Sequence, residues 1–374
     1  MSGTSADAVD AALVAWPEGK EARPFELLAF CEIPLGRELQ ARIHCLAAGR
    51  VPGPEALAEL ARLDVELGER FAEAARAVAK RAGLDLAEVD VIASHGQTVA
   101  HHPEHRATLQ IGDPSVIAER TGCTTIADFR TRDIAAGGEG APLAPFFHWA
   151  VMGDPTEHRL VLNLGGIANV TWLPAGAAAE DVVAFDVGPA NSLMDGVVSL
   201  ASDGAERFDR DGERARSGRV DEPWLRELLE DSYLQRPPPK STGRERYGLA
   251  EAEALWARCQ KRGGNLDDLL ATLVALVAES VGNAARSFLD APHVDRLLVG
   301  GGGARNPALM AALAERGPTP NVQPFDAVGV PAAAAEAMAF SLMGRNARLG
   351  LVNHLPRTTG ARGERILGEV VPGS

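Results

Sequence analysis

Five short apolar runs, each ending in polar or glycine residues, constrain this chain more than any other feature. The runs cover residues 89–93, 124–127, 160–164, 182–185 and 297–299. Several are rich in β-branched residues, and runs of this length and type read as strands buried on both faces. They are followed by Ser94-His95-Gly96-Gln97-Thr98, Asp128-Phe129-Arg130, Gly165-Gly166-Ile167-Ala168-Asn169, Asp186-Val187-Gly188-Pro189-Ala190-Asn191 and Gly300-Gly301-Gly302-Gly303. In open α/β sheets the ligand sits outside the carboxyl ends of the strands. Five loaded strand ends therefore point to one shared crevice.

The segments between these runs supply the rest of an α/β architecture. Residues 9–16 and 25–33 read as an antiparallel meander around a Pro/Gly/Lys turn. Over residues 55–81, Leu57, Leu60, Leu67, Phe71 and Val78 mark one face of a long amphipathic helix, with Gly83 placed to cap its end. Residues 267–289 form a second long helix with almost no charge in its middle, so it is expected between layers. A chain of 374 residues calls for about two domains. The Gly153-Asp154-Pro155 interruption divides it into residues 1–152 and 157–331, with residues 332–374 returning to the first domain. Pro237-Pro238-Pro239-Lys240 reads as a stiff, basic surface loop.

Composition removes several function classes. With 37 basic against 51 acidic residues, the net charge of -14 repels nucleic-acid phosphates and anionic lipid. Cys31, Cys45, Cys123 and Cys259 lack CxxC spacing and read as small buried hydrophobes rather than a disulfide or zinc framework. No run of about 18 apolar residues is present. A cytoplasmic protein without nucleic-acid or membrane partners is the expectation.

The remaining chemistry sits in a few motifs. Met1-Ser2-Gly3-Thr4-Ser5-Ala6-Asp7-Ala8-Val9-Asp10 is a small, hydroxylated turn that offers backbone N–H groups and carboxylates to a phosphate and its metal. The run Gly300 to Gly303, followed by Asn306, lets backbone approach a nucleotide, or serves as a tight strand-to-helix turn. Asn163, Gly165 and Gly166 can turn amides toward a phosphate, or form an ordinary hairpin bend. Asp186, beside expected helix N–H groups, suits a general base, or caps that helix. Asp128 with Arg130 reads as a ligand pair or a structural ion pair. His101, His102 and His105 lack metal-ligand spacing, which leaves His95 as the one site histidine.

In their order along nearly the whole chain, these motifs resemble the 1,6-anhydro-N-acetylmuramic acid kinases of the sugar kinase, Hsp70 and actin superfamily. Leu109-Gln110-Ile111-Gly112, Gly140-Ala141-Pro142-Leu143 and Asp195 belong to the same ordered set. The resemblance implies a two-domain, actin-like α/β fold with mixed sheets and an active site in the interdomain cleft. It also implies ATP-dependent conversion of the anhydro sugar and water to N-acetylmuramate 6-phosphate, a step of peptidoglycan recycling. Asp186 is the implied catalytic base. Gly3, Thr4, Ser5, Ala6, Asp7, Ala8, Val9, Asp10, Asn163, Gly165, Gly166, Gly300, Gly301, Gly302 and Asn306 are the implied ATP contacts, and Asp7 is the implied Mg²⁺ residue. His95, Gln97, Thr98, Asp128, Arg130 and Glu336 are the implied sugar contacts. The alternatives are another sugar kinase of the superfamily or a non-catalytic nucleotide-binding module; a homodimer is left open.

Two departures from the family pattern carry expectations. Ala6 and Ala8 replace a larger apolar residue and a glycine, and Ala8 requires negative φ. Family members carry an apolar strand before the Met-Ser-Gly-Thr-Ser turn; without it Gly3 is expected at a fraying terminus, with the true start upstream or ATP binding weak.

Overall fold

The computed structural model describes residues 1–289 and 293–374. They form two compact units, Met1–Val151 with Ala334–Ser374, and Met152–Ala333. Both are α/β.

In the first unit, β1 (Ala8–Ala15) and β2 (Glu26–Pro34) pair antiparallel with Asp10 opposite Glu32. The helix Gly53–Ala82 packs against them and ends at Gly83, whose φ of 76° is the left-handed cap that glycine adopts without strain. Its buried stripe is Leu63, Leu67, Phe71, Ala74 and Val78, at spacings of three and four. Leu57, expected on that stripe, is instead 77% exposed.

The expected strand at residues 89–93 shrinks to β3 (Ile92–Ala93). A hairpin follows, β4 (Gln97–His102) against β5 (Ala107–Ile111). β3 pairs parallel with β6 (Thr125–Ala127), which takes the C-terminal strand Glu369–Val371 on its other edge. The helix Ala335–Arg348 packs on β1 and β3, and Gly344 permits this: a Cβ there would lie 2.4 Å from that of Ala93.

A buried polar network ties the C-terminal tail down. The fully buried Asp133 carboxylate accepts from His354 Nδ1 (2.9 Å), Thr359 Oγ1 (2.7 Å) and the Gly140 N–H (2.8 Å). His354 Nε2 accepts the Arg365 N–H at 2.9 Å, so its ring proton sits on Nδ1. Burial alone would raise the Asp133 pKa, but these donors outweigh it and hold the carboxyl below its ordinary value.

The second unit is built on one five-stranded sheet. Its strands are β7 (Arg159–Leu164), β8 (Ile167–Leu173), β9 (Val183–Pro189), β10 (Arg296–Gly300) and β11 (Val322–Pro324), in the order β11-β10-β7-β8-β9. The first three in that order run parallel, and the β7-β8-β9 half is an antiparallel meander. The helix Leu266–Phe288 is apolar enough to cross a membrane by composition, yet 83% of its most apolar window is buried inside the protein. Leu270, Ala278 and Val281 have no exposed surface, and Asn265 caps the helix by accepting the Asp268 N–H.

Two sequence expectations need correction. Cys123 and Cys259 are buried, but Cys31 is half-buried and Cys45 exposed, since they lie on an edge meander and a surface helix. Lys240 is not on a surface excursion: it is 6% exposed, with Nζ over the rings of Tyr233 (4.7 Å), Phe288 (5.0 Å) and Phe185 (5.7 Å). Nζ donates to the carbonyls of Tyr233 and Leu234, and burial pulls its pKa down to about 8. The aromatic cage and two carbonyls anchor the loop that carries Ser241 and Thr242.

Candidate active site

In the first unit the opening residues fold into a tight turn entering β1. The Ala6 N–H donates to the Gly3 carbonyl (3.1 Å), and Ala6 takes a φ of 48°. Ala8 lies in β1 and keeps a strand conformation. The turn is tied to its neighbours rather than frayed: Met1 and Asp10 exchange two backbone bonds, of 2.9 and 2.8 Å. The Ser2 hydroxyl, buried, donates to Gln97 Oε1 at 2.7 Å, which couples the turn to the start of β4. Asp7 Oδ1 accepts from Ser5 Oγ (2.7 Å) and from the Ala8 N–H (3.1 Å), so one face of an exposed carboxylate is fixed. Thr4 and Ser5 are exposed beside it. Asp10 is raised to about 6, by burial first and then by Glu32, Glu336 and Asp7, against the N-terminal amine.

His95 is buried between Arg130 and the Gly96 carbonyl. Its Nδ1 donates to that carbonyl (2.9 Å) and Nε2 accepts from Arg130 Nε (2.9 Å), so both ring nitrogens are used. Burial, with Arg130 adding to it, holds the ring pKa well below its ordinary value and the imidazole neutral. His95 is thus a positioning group for Arg130, whose other end donates to the Gly140 carbonyl at 2.7 Å. Burial lowers the Arg130 pKa to about 10, and Glu336 opposes the shift. Glu336 is solvent-accessible, and its carboxyl is raised by the protein around it against the pull of Arg130 and the amine of Met1. Asp128 adopts a φ of 52° and accepts the Thr131 N–H. It pairs with that N–H rather than with Arg130. Thr98 Oγ1 accepts from Gln110.

In the second unit the Gly165-Gly166 turn joins β7 to β8. The Gly166 carbonyl takes the N–H groups of Ala190 and Ser192 and the Ser192 hydroxyl, and Gly165 takes the Asn191 N–H. Its neighbour is the glycine run after β10. Packing explains three of the four glycines: a Cβ at Gly300 would strike the Phe325 ring (2.1 Å), one at Gly301 Asn163 Oδ1 (2.5 Å), and one at Gly303 the Leu164 side chain (2.6 Å). Only Gly302 has nothing within 4 Å. The entropic cost of consecutive glycines is therefore offset by close approach of protein to protein at three positions, and the face at Gly302 stays open. Asn306 Oδ1 caps the helix Pro307–Arg316, accepting from Ala308 and Leu309.

Asp186 stands in the middle of β9, not at its end. β9 runs on to Pro189 because its pairing with β8 continues across a register shift at Ala168/Asn169. The expected helix N–H groups are thus not its partners. The loop after Lys240 supplies them: Asp186 Oδ2 accepts from Ser241 Oγ and from the Thr242 N–H, both at 3.0 Å. Oδ1 has no hydrogen-bond partner among the described residues. Burial raises the carboxyl pKa, Glu245 adds to this, and the two donors and Lys240 oppose it. Ser241, Thr242 and Tyr233, whose hydroxyl donates to the Asp186 carbonyl at 2.9 Å, were not legible as site residues. Only a loop distant in sequence and docked by a buried lysine brings them there. Asp195, in the helix Asn191–Ala201, is raised to about 6 by burial, with Arg244 opposing.

The family of anhydro-N-acetylmuramic acid kinases matches residues 1–373 of this chain. An anhydro-N-acetylmuramic acid kinase of Xanthomonas campestris pv. campestris (strain 8004) is 44% identical over all of this chain and 96% of its own length. Those of Caldanaerobacter subterraneus subsp. tengcongensis and Gloeobacter violaceus are 40% and 41% identical, covering 99% and 100% of this chain and 95% and 97% of their own. Among solved structures, a ROK family glucokinase from Streptomyces griseus in complex with glucose and AMPPNP is similar at a TM-score of 0.36 and 11% identity, over 86% of this chain and 93% of its own. With a match over residues 1–373 and relatives at 40–44% identity, the chain belongs to the anhydro-N-acetylmuramic acid kinase family.

Proposed function

We propose that this chain performs its family's ATP-dependent reaction with Asp186 as the general base. Water attacks the anomeric carbon of 1,6-anhydro-N-acetylmuramate and gives its proton to Asp186 Oδ1. The C1–O6 bond breaks, and O6 takes the γ-phosphoryl group as ADP leaves, giving N-acetylmuramate 6-phosphate. The observation that carries this reading is the state of Asp186: one oxygen is pinned by Ser241 and Thr242, the other is unpaired, and burial raises the pKa. A carboxylate so held is oriented and more basic than one in water.

The phosphate contacts are assigned to the turn at Gly3 to Asp10, to Asn163, Gly165 and Gly166, and to the open face of Gly302. Arg130, oriented by His95, pairs with the sugar's lactyl carboxylate, a reading supported by its half-buried charge. Gln97, Thr98, Asp128 and Glu336 complete the sugar contacts. Asp7 fits a divalent cation: one oxygen is fixed within the turn, and Mg²⁺ takes one or two carboxylates together with waters and substrate phosphates. When bound, Mg²⁺ supplies charge neutralisation on the transferring phosphoryl. The acidic balance of the chain suits small-molecule substrates and a cytoplasmic setting.

Asp186→Asn is the test. Turnover of the anhydro sugar should fall by about 10²–10⁴-fold, the usual contribution of a positioned base, while ATP affinity stays within about twofold. Retained turnover removes Asp186 as base.

A further inference from the structure

Arg130 is held from a distance by the last residues of the first unit. It stands just ahead of the short helix Thr131–Ala135, and the Ile134 N–H donates to its carbonyl, so Arg130 and Asp133 share one side of a single helical turn. Gly140 bridges the two. Its N–H donates to Asp133 Oδ2 and its carbonyl accepts from Arg130 Nη1. A Cβ at this position would lie 2.9 Å from Ile134 Cγ1, so the bridge needs a residue without a side chain to approach the turn.

The C-terminal segment fixes the other oxygen of Asp133. Oδ1 accepts from His354 Nδ1 and Thr359 Oγ1, both buried. The same segment grips the loop that leads to Gly140: the Thr359 carbonyl accepts the Glu139 N–H (2.8 Å), and the Ala136 carbonyl accepts the Arg362 N–H (3.0 Å). Donors to a buried carboxylate make strong, short bonds, so this end of the chain of contacts is stiff. At its far end Arg130 Nε donates to His95 Nε2, and the His95 ring packs on Phe340 with centroids 4.6 Å apart. With Nε and Nη1 engaged, Nη2 is the guanidinium nitrogen without a hydrogen-bond partner among the described residues. Two anchors on a planar group fix its orientation, so the free donor has one direction.

We propose that Asp133, held by His354 and Thr359, is a positioning residue that acts through Gly140 to set the Arg130 guanidinium for the carboxylate of the sugar. The C-terminal segment thereby takes part in selecting the acidic substrate although it does not touch it. The proposal rests on the pairing of Arg130 with the lactyl carboxylate. That carboxylate is remote from the bonds that change, so an Arg130 set loosely weakens ground state and transition state alike. The loss then falls on KM rather than on kcat.

The test is steady-state kinetics of tail variants, with Arg130→Gln as reference. Thr359→Val keeps the shape of the side chain and removes one donor to Asp133. It should raise KM for 1,6-anhydro-N-acetylmuramate by about 3–10-fold, the worth of one such hydrogen bond, with kcat and the KM for ATP within about twofold. Thr359→Ser, which keeps the hydroxyl, should restore KM, and His354→Gln should repeat the Thr359→Val pattern. Added to Arg130→Gln, Thr359→Val should raise KM no further, because the two act as one unit. An unchanged KM in both tail variants beside a raised KM in Arg130→Gln overturns the positioning role alone. An unchanged KM in Arg130→Gln removes the pairing with the lactyl carboxylate and this proposal with it. Loss of folding, or parallel loss of kcat and ATP affinity, in both tail variants marks a purely structural tie and overturns the proposal too.

Discussion

The two glycine-bearing turns assigned to phosphate are held very differently. In the second unit, β7 lies between β10 and β8, and the Gly165-Gly166 carbonyls are bound by the start of the helix Asn191–Ala201. In the first unit, the Gly3–Asp10 turn has β2 on one side of its strand and a single residue pair, Met1 with Asp10, on the other. A turn fixed by sheet on both sides keeps its geometry without ligand. One fixed on a single side depends on a few polar ties, of which Ser2 to Gln97 is the most buried.

The sharpest way to break this comparison is to add one methyl group to each glycine cluster. Gly301→Ala meets a φ of 76° together with Asn163 Oδ1 and the Leu164 carbonyl inside 2.8 Å, so it should cost about 3 kcal/mol. Gly3→Ala meets nothing within 4 Å and should cost under about 0.5 kcal/mol while weakening ATP binding through the approach of its Cβ. Urea unfolding and ATP titration of the two variants check this; equal destabilisation would contradict the packing account of Gly301.

Ser2→Ala probes the polar tie itself. It leaves Gln97 Oε1 buried without its donor, a loss of about 1–2 kcal/mol, and amide exchange should quicken at Gln97 and Ala8 with no change in β7 or β8. Uniform exchange rates across both units would mean that the turn is not separately held.

The smallest effect concerns Asp186. Its base form is the carboxylate, and its raised pKa means that kcat/KM is lost on acidification at a higher pH than an ordinary aspartate would give. Ser241 stabilises the ionised form, so Ser241→Ala should move that acidic limb upward by about 0.5–1 pH unit, read from a pH–rate profile. A downward shift would overturn the role given to Ser241.

Some of this was legible in the sequence and some was not, for physical reasons. The apolar runs at residues 160–164 and 297–299 became β7 and β10, because strands buried on both faces leave a strong local signal. The run at 89–93 carried the same signal, yet only Ile92–Ala93 are strand, since one edge has no partner among the described residues and pairing rather than composition decides. Leu57 matched the helical period but is 77% exposed, since period alone does not say which turns of a helix meet a partner. The run Gly300 to Gly303 was visible as special, but its division between packing and open surface depends on Phe325, Asn163 and Leu164. Asp186 was visible as a carboxylate after an apolar run, whereas its partners Ser241 and Thr242 lie more than fifty residues away, behind a buried Lys240 that reads in sequence as surface.

The most direct test is the mass of the product formed in step with ADP from 1,6-anhydro-N-acetylmuramate, with N-acetylmuramate and glucose as competing substrates. The account predicts one ADP per sugar and a product heavier than the anhydro sugar by one water and one phosphoryl group. A product carrying phosphate without the added water, or ADP formed preferentially from glucose, would contradict it.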